Sequence, residues 1–81
     1  MFFVYVLRSL KNNKRYIGYT SKNIFVRLKE HNQGYNKWTR QNGPFKIIYF
    51  EKFNLKVEAI KRERFLKSGQ GRKLLDKILP L

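Results

Sequence analysis

Residues 2–20 read FFVYVLRSLKNNKRYIGYT, and this stretch decides the fold. Its first part, residues 2–8, is rich in aromatic and β-branched types and too short for a stable helix, so it predicts a largely buried strand. A polar turn over residues 10–14 separates it from a second β-type run at residues 15–20. The stretch therefore predicts an antiparallel hairpin.

The segment after the hairpin predicts a helix. Thr20 or Ser21 can cap its N-terminus, and the helix is expected to run to about Asn32, with Gly34 as the stop. At about 100° per residue, its buried stripe is expected to consist of Ile24, Phe25 and Leu28.

The rest of the chain predicts one more strand and two more helices. A loop over residues 34–44 leads into the strand FKIIYFEKF at residues 45–53. One helix is expected from just after this strand to Gly69, and a short one over about residues 72–79. The order ββαβαα predicts an α+β fold in which a small antiparallel sheet is covered by helices, in one domain over residues 1–81.

The charge of the chain indicates its partner. Nineteen Lys and Arg residues against five acidic residues give a net charge of +14, spread over every predicted element. Such a surface favours a polyanion, and nucleic acid is a better match than a membrane, which a basic helix would bind through a long apolar face. The N-terminus lacks a charged leader and no apolar run reaches about 18 residues, so we expect a cytoplasmic protein.

Composition also limits the chemistry. The absence of cysteine excludes disulfides, thiol catalysis and cysteine-ligated zinc, and a single histidine excludes zinc sites that need several imidazoles. The five carboxylates are dispersed along the chain, so a metal site is expected to hold one ion. Mg²⁺ tolerates such a site because it binds through one carboxylate, several waters and substrate phosphate.

Glu63 is expected to point into the apolar side of its helix, close to Ala59 and Leu66. A buried carboxylate needs a cation, a metal or a proton. The helix pattern alone leaves two interpretations open, an ion pair with Arg27 or another inward-facing cation, and a metal ligand.

Arg27 and His31 lie one turn apart on a flank of the first helix, and Tyr5 and Tyr16 lie on the paired strands. A guanidinium can stabilise phosphoryl charge, and an imidazole or a phenol can exchange a proton. The alternatives are a surface arginine, a histidine at the helix end, and tyrosines that only pack.

The loop segment Lys37-Trp38-Thr39-Arg40 interleaves an aromatic side chain with cations, as surfaces that bind single-stranded nucleic acid do. Lys37, Trp38 and Arg40 are therefore candidate nucleic-acid-binding residues. The alternative is that Trp38 covers the core.

Together these residues resemble the GIY-YIG nuclease superfamily. Residues 4–7, VYVL, stand where the family has its Gly-Ile-Tyr element, and residues 16–18 match the Tyr-Ile-Gly element. Arg27, His31 and Glu63 follow in family order. More narrowly, the chain is similar to small stand-alone bacterial members, which resemble the nuclease domain of structure-specific resolvase subunits. The resemblance implies a three-stranded antiparallel sheet flanked by three helices.

The resemblance also implies a reaction, the Mg²⁺-dependent hydrolysis of phosphodiester bonds that leaves 5′-phosphate and 3′-hydroxyl ends, with Mn²⁺ as a substitute ion. DNA is the implied substrate, with RNA as the alternative, and the implied activity is a structure-selective or weakly selective endonuclease of DNA repair or recombination. The implied catalytic residues are Tyr5, Tyr16, Arg27 and His31, and the implied metal ligand is Glu63.

Two departures from the family pattern qualify this expectation. Residues 4–7 lack the Gly and Ile of the first element, although they supply Tyr5, and residues 68–79 lack the Asn that many active members carry after the metal-binding Glu. We therefore expect turnover that is weak or dependent on a partner protein that supplies specificity. The rival interpretation is a non-catalytic basic nucleic-acid-binding module with a degenerate site.

Overall fold

A computed structural model describes residues 1–34 and 36–79 of the chain. They form strands β1 Phe2–Ser9, β2 Arg15–Thr20 and β3 Phe45–Phe53, and helices α1 Ile24–Asn32, α2 Lys37–Asn42, α3 Lys56–Lys67 and α4 Gly69–Ile78. The strands make one antiparallel sheet in the order β2-β1-β3. The predicted α+β class, with its three-stranded sheet flanked by helices, is confirmed.

The predicted hairpin is also present. Its turn is closed by the backbone N–H of Ser9, which donates to the carbonyl of Lys14 at 2.8 Å, and Asn13 adopts a left-handed φ of 63° there. β1 holds the most apolar run of the chain and lies at the centre of the sheet, where both faces are covered. Residues 4–7 of β1 are accordingly buried.

The alternation of side chains along β1 sends Val4 and Val6 to one face and Tyr5 and Leu7 to the other. The first face packs on α3 and α4, through Ala59, Leu66 and Leu75. The second face packs on α1, α2 and the start of β3, through Leu28, Trp38 and Phe45. β2 and β3 are the edge strands, so the free edge of β2 lies between the two layers of helices.

Helix α1 begins later than predicted, and this changes its buried side. Asn23, not Thr20 or Ser21, caps it by accepting a hydrogen bond from the backbone N–H of Phe25 at 2.8 Å. Phe25 is 67% exposed, so its predicted burial is wrong. The sheet-facing residues are Ile24, Leu28 and His31, spaced as one face of a helix requires. The predicted stop at Gly34 is confirmed by its φ of 74°.

The predicted loop over residues 34–44 is wrong in part, because it contains α2. This six-residue helix is capped by Asn36 and Thr39, which form a reciprocal capping box. It is too short to leave a helical period in the sequence. The last helix starts at Gly69, capped by the Ser68 hydroxyl, and so begins before the predicted residue 72. Within the described ranges, none of the helices is long and apolar enough to cross a membrane.

Candidate active site

Three polar side chains meet on the α1 side of the sheet. The hydroxyl oxygen of Tyr5 lies 2.9 Å from Nε2 of His31 and 3.4 Å from Nε of Arg27. The arginine can only donate, so the Tyr5 oxygen accepts from Arg27, and the tautomer of His31 sets which of Tyr5 and His31 donates in their shared hydrogen bond. The three residues come from β1 and α1, and together they hold one phenol between an imidazole and a guanidinium.

Gly18 allows the Tyr5 ring to reach this position. The two residues are directly paired across β1 and β2, and a Cβ atom at Gly18 would lie 2.6 Å from the Tyr5 hydroxyl oxygen. The ring therefore lies over the glycine of the Tyr-Ile-Gly element. This gives the glycine a steric role that does not depend on its backbone conformation.

His31 lies deeper than predicted. It is 0% exposed, and its ring centroid is 4.6 Å from that of Tyr16 and 5.7 Å from that of Tyr5. The predicted position on a helix flank is wrong, because α1 turns His31 toward the sheet. Burial and the positive charge of Arg27 lower the pKa of His31 to about 4, although Glu30 acts in the opposite direction. The imidazole is therefore neutral at pH 7.

Arg27 is half-buried and its carboxylate partner is Glu30. One guanidinium nitrogen lies 3.0 Å from Glu30 Oε1, and Lys22 Nζ lies 2.7 Å from Glu30 Oε2. Hydrogen bonds from Lys22 and Arg27 hold the pKa of Glu30 below its usual value. The interpretation in which Arg27 pairs with Glu63 is wrong, because Glu63 pairs with another cation, Lys67, at 3.5 Å.

A groove of about 510 Å³ runs round the free edge of β2 and connects the two layers of helices. Tyr16 and Trp38 enter it from the α1 and α2 side, and Leu66 and Leu75 enter it from the α3 and α4 side. Its cations come from β2, α3 and α4 and the turn before β2: Lys14, Arg15, Lys67 and Arg72. Tyr16 thus joins the groove to the buried Tyr5 and His31 cluster.

Glu63 is largely shielded from solvent, with 16% of its side chain exposed, which agrees with its predicted place in the apolar stripe of the helix. Its ion-pair partner Lys67 lines the groove, so the carboxylate lies one side chain away from it. Among residues 1–34 and 36–79, no three His, Cys, Asp or Glu side chains form a metal-binding group. A single carboxylate beside an open groove suits a hydrated Mg²⁺ that completes its shell with water and phosphate oxygens.

The three predicted nucleic-acid-binding residues all lie on α2 but differ in exposure. Trp38 packs on Phe45, at a ring distance of 5.6 Å, and on Tyr16, at 5.3 Å, so it covers the core. Its remaining surface lines the groove. Lys37 and Arg40 are exposed, and the Arg40 guanidinium donates to the carbonyl of Gly34 at 3.2 Å.

Sequence reasoning missed the groove because its residues come from distant parts of the chain. The four groove cations were indistinguishable from the other basic residues before folding. For Arg15 the sequence does contain a usable signal, because Arg15 directly precedes Tyr16 on a strand at the edge of the sheet. Adjacent strand residues point to opposite faces, so an edge strand presents its side chains on both sides of the groove.

Comparison with known proteins shows the family of the chain. The family described as the GIY-YIG catalytic domain matches residues 1–75. The chain therefore belongs to the GIY-YIG family, and the predicted resemblance is confirmed.

Its relatives are small proteins of the UPF0213 group. A UPF0213 protein of Clostridium perfringens is 44% identical over 68 residues, which cover 83% of this chain and 71% of the relative. One of Staphylococcus saprophyticus is 35% identical over 74 residues, covering 90% and 88% of the two chains. The solution NMR structure of a UPF0213 protein of Bacillus halodurans is similar, with a TM-score of 0.56, 31% identity and coverage of 98% and 86%.

Proposed function

We propose that this protein is a metal-dependent endonuclease that hydrolyses phosphodiester bonds in nucleic acid. The observation that carries the proposal is the Tyr5 hydroxyl held between Arg27 and His31, next to a basic groove that Tyr16 also lines. Packing alone does not account for an arginine and a histidine on one buried phenol. Membership of a family named for its catalytic domain supports the same reaction class.

Arg27 is proposed to bind the scissile phosphate. Its guanidinium is half-buried, where charge is screened less than at an exposed site, and Glu30 and Tyr5 limit its orientations. A guanidinium held in this way stabilises negative charge that develops on phosphoryl oxygens. The Arg27 side chain loses its conformational entropy during folding, so little more is lost when substrate binds.

Tyr5 is proposed to receive the proton of the attacking water, with His31 as a positioning residue. The nearby cation Arg27 favours the phenolate form, which is the form that accepts a proton. His31 is neutral and shares a hydrogen bond with the phenol, which holds the Tyr5 hydroxyl in place. Because a free phenol has a pKa near 10, cleavage should rise with pH above 7. Tyr16 is proposed to contact substrate from the groove.

Glu63 is proposed to hold the metal ion. When bound, Mg²⁺ or Mn²⁺ supplies Lewis-acid stabilisation of charge on the phosphate and the leaving oxygen. The loose ion pair with Lys67 supports this role. Its two atoms are 3.5 Å apart and the Lys67 side chain is 53% exposed, so a cation of higher charge can displace the lysine.

DNA is the proposed substrate and RNA is the alternative, since the groove cations contact phosphates, which both share. Lys37 and Arg40 are proposed to contact phosphates outside the groove. We further propose a structure-selective or weakly selective activity in DNA repair or recombination in the cytoplasm, with a partner protein that adds specificity. A groove of about 510 Å³ contacts only a short stretch of nucleic acid, which supports weak selectivity by this chain alone.

The test is incubation with branched, flapped, single-stranded and duplex DNA, and with RNA, in Mg²⁺, Mn²⁺ or EDTA. We expect cleavage that requires metal and generates 5′-phosphate ends. Absence of metal-dependent cleavage on every substrate would overturn the proposal in favour of a non-catalytic binding module.

The matched variants are Glu63→Gln and Glu58→Gln. The first removes the proposed ligand, so cleavage should fall by about 1,000-fold or more while binding persists. The second is its control, because Glu58 is exposed on the same helix and caps the backbone N–H of Leu55, which glutamine also caps. A Glu63→Gln protein that loses stability but still cleaves would contradict the metal role. Melting curves without metal distinguish the two outcomes.

A further inference from the structure

Three cations lie side by side across the sheet, away from the proposed catalytic cluster. Arg8 at the end of β1 pairs directly with Arg15 on β2 and with Lys46 on β3. Directly paired residues share one face of the sheet, and their Cβ atoms are about 4.5 to 5.5 Å apart. Like charges at this spacing repel each other, so the row is unfavourable unless an anion lies against it.

The protein itself supplies little counter-charge to this row. Asp76 on α4 pairs with Arg15, but the Asp76 side chain is 63% exposed, and pairs open to water contribute little. Within residues 1–34 and 36–79, no carboxylate pairs with Arg8 or with Lys46. Arg8 is half-buried, so water does not surround its charge completely. The row is therefore short of negative charge.

A cavity of about 330 Å³ lies against the row. Arg8, Arg15 and Asn13 provide its donors, and Ile48 and Leu79 provide apolar surface. Asp76, the partner of Arg15, also lines it, so the cavity holds two guanidinium groups against one carboxylate. Two guanidinium groups facing one cavity suit the oxygen atoms of a phosphate, which arginine binds through two parallel hydrogen bonds. An amide such as that of Asn13 adds a neutral donor. The chemistry of the cavity is therefore that of a phosphate site.

Arg15 lines both this cavity and the groove round the β2 edge. A strand that passes through the groove and past Arg15 meets Arg8 next. We propose that Arg8 and Arg15 bind a backbone phosphate of the nucleic acid beyond the groove, so that the substrate path continues onto the α4 side of the sheet. This inference rests on the proposed nucleic-acid substrate but not on its cleavage.

The test is equilibrium binding of fluorescent single-stranded DNA in EDTA. Arg8→Gln is compared with Lys61→Gln, which removes one charge from an exposed position on α3. For a 20-nucleotide strand we expect Arg8→Gln to weaken binding about tenfold and to reduce the slope of log affinity against log salt by about 0.7. Lys61→Gln should change affinity less than about twofold. Equal losses in the two variants, or no loss in either, would overturn the proposal.

The melting temperature without ligand distinguishes an effect of Arg8 on binding from an effect on folding. Removal of Arg8 relieves repulsion in the row, so the Arg8→Gln protein should melt at the same temperature as the wild type or at a higher one. A lowered melting temperature together with weaker binding would mean that Arg8 supports the fold, and would overturn the proposed contact. Gel filtration at matched concentrations provides a check that both variants are equally folded.

Inorganic phosphate is the second probe. If a small phosphorylated ligand is the true occupant, phosphate alone should protect the wild type but not Arg8→Gln from melting, and strand affinity should not depend on Arg8. That result would overturn the nucleic-acid assignment. All of these measurements exclude metal, so a failed cleavage assay leaves them interpretable, and a failed Arg8 effect leaves the nuclease proposal standing.

Discussion

The two faces of the sheet differ in chemistry although the same strand supplies both. The face under α3 and α4 has an aliphatic centre, with Val4, Val6 and Leu75 buried against each other. The face under α1 and α2 is aromatic and polar, with Tyr5, His31 and their ring neighbours. The aliphatic centre of that first face can contribute only packing. On the aromatic face, polar side chains occupy buried positions, and these side chains can transfer protons and bind charge.

This division predicts that the faces respond differently to mutation. Changes on the aliphatic face should alter stability and leave the activity of each folded molecule unchanged. Changes on the aromatic face should alter activity or its pH dependence. The charged residues at the margin of the aliphatic face are the exceptions. Glu63 pairs with the groove residue Lys67, and Arg8 and Arg15 line the second cavity.

The largest expected effect is on stability. Leu75→Ala removes a fully buried side chain, so the free energy of unfolding should fall by about 2 to 5 kcal/mol. Denaturant titration measures the change. Ile78→Ala on the same helix is the control, and because Ile78 is exposed it should cost much less. Leu75 also lines the groove, so Val6→Ala, buried on the same face but outside the groove, tests activity. A loss of specific activity in its folded fraction would break the division between the faces.

The next effect is on the reaction. Arg27→Ala removes the proposed phosphate ligand, so the cleavage rate should fall about 100- to 1,000-fold. Single-turnover kinetics with saturating DNA measure it. Lys29→Ala, an exposed cation on the same helix, should leave the rate within about twofold. Similar losses in the two variants would show that Arg27 contributes only to the general positive charge.

A third effect concerns pH. The pKa of His31 is about 4 in the folded protein, and it returns to about 6.5 on unfolding. Between these values the unfolded chain binds the extra proton, so stability should fall by up to about 3 kcal/mol as the pH decreases from 6.5 to 4. Above pH 6.5 the contribution is complete and constant.

His31→Phe keeps a buried ring but removes the titration. The difference between wild type and variant isolates His31, because carboxylates titrate in both proteins. If urea melts show the same slope of stability against pH for the two proteins between pH 4.5 and 6.5, His31 is not the buried neutral group described above.

The smallest effect is steric. Gly18→Ala places a methyl group against the Tyr5 hydroxyl, so the ring must move, at a cost of about 1 to 3 kcal/mol in stability. Because the hydroxyl also moves away from Arg27 and His31, cleavage should fall too. Gly69→Ala is the control, since a Cβ atom at Gly69 contacts nothing within 4 Å. Unchanged cleavage in Gly18→Ala would show that Gly18 does not position the Tyr5 hydroxyl for the reaction.

Local sequence patterns were enough to predict the hairpin and the burial of β1. Strand period, turn residues and apolar composition all act within about twenty residues, so they are readable before folding. The exposure of Phe25 could not be predicted from local pattern. A shift of the helix cap from residue 20 or 21 to Asn23 changes where the helix begins, and contact with the sheet then selects the buried side.

The sequence by itself determined the family, the α+β class, the excess of positive charge and the identity of the candidate catalytic residues. These depend on residue types and their order along the chain. Only the tertiary structure decided that His31 is buried against Tyr5, that Arg27 pairs with Glu30 and Glu63 with Lys67, and that a groove and a second cationic cavity meet at Arg15. The physical reason is distance. Ion pairs, pKa values and cavities depend on separations of a few ångströms between residues far apart in sequence, and the packing of helices on both faces of the sheet sets those separations.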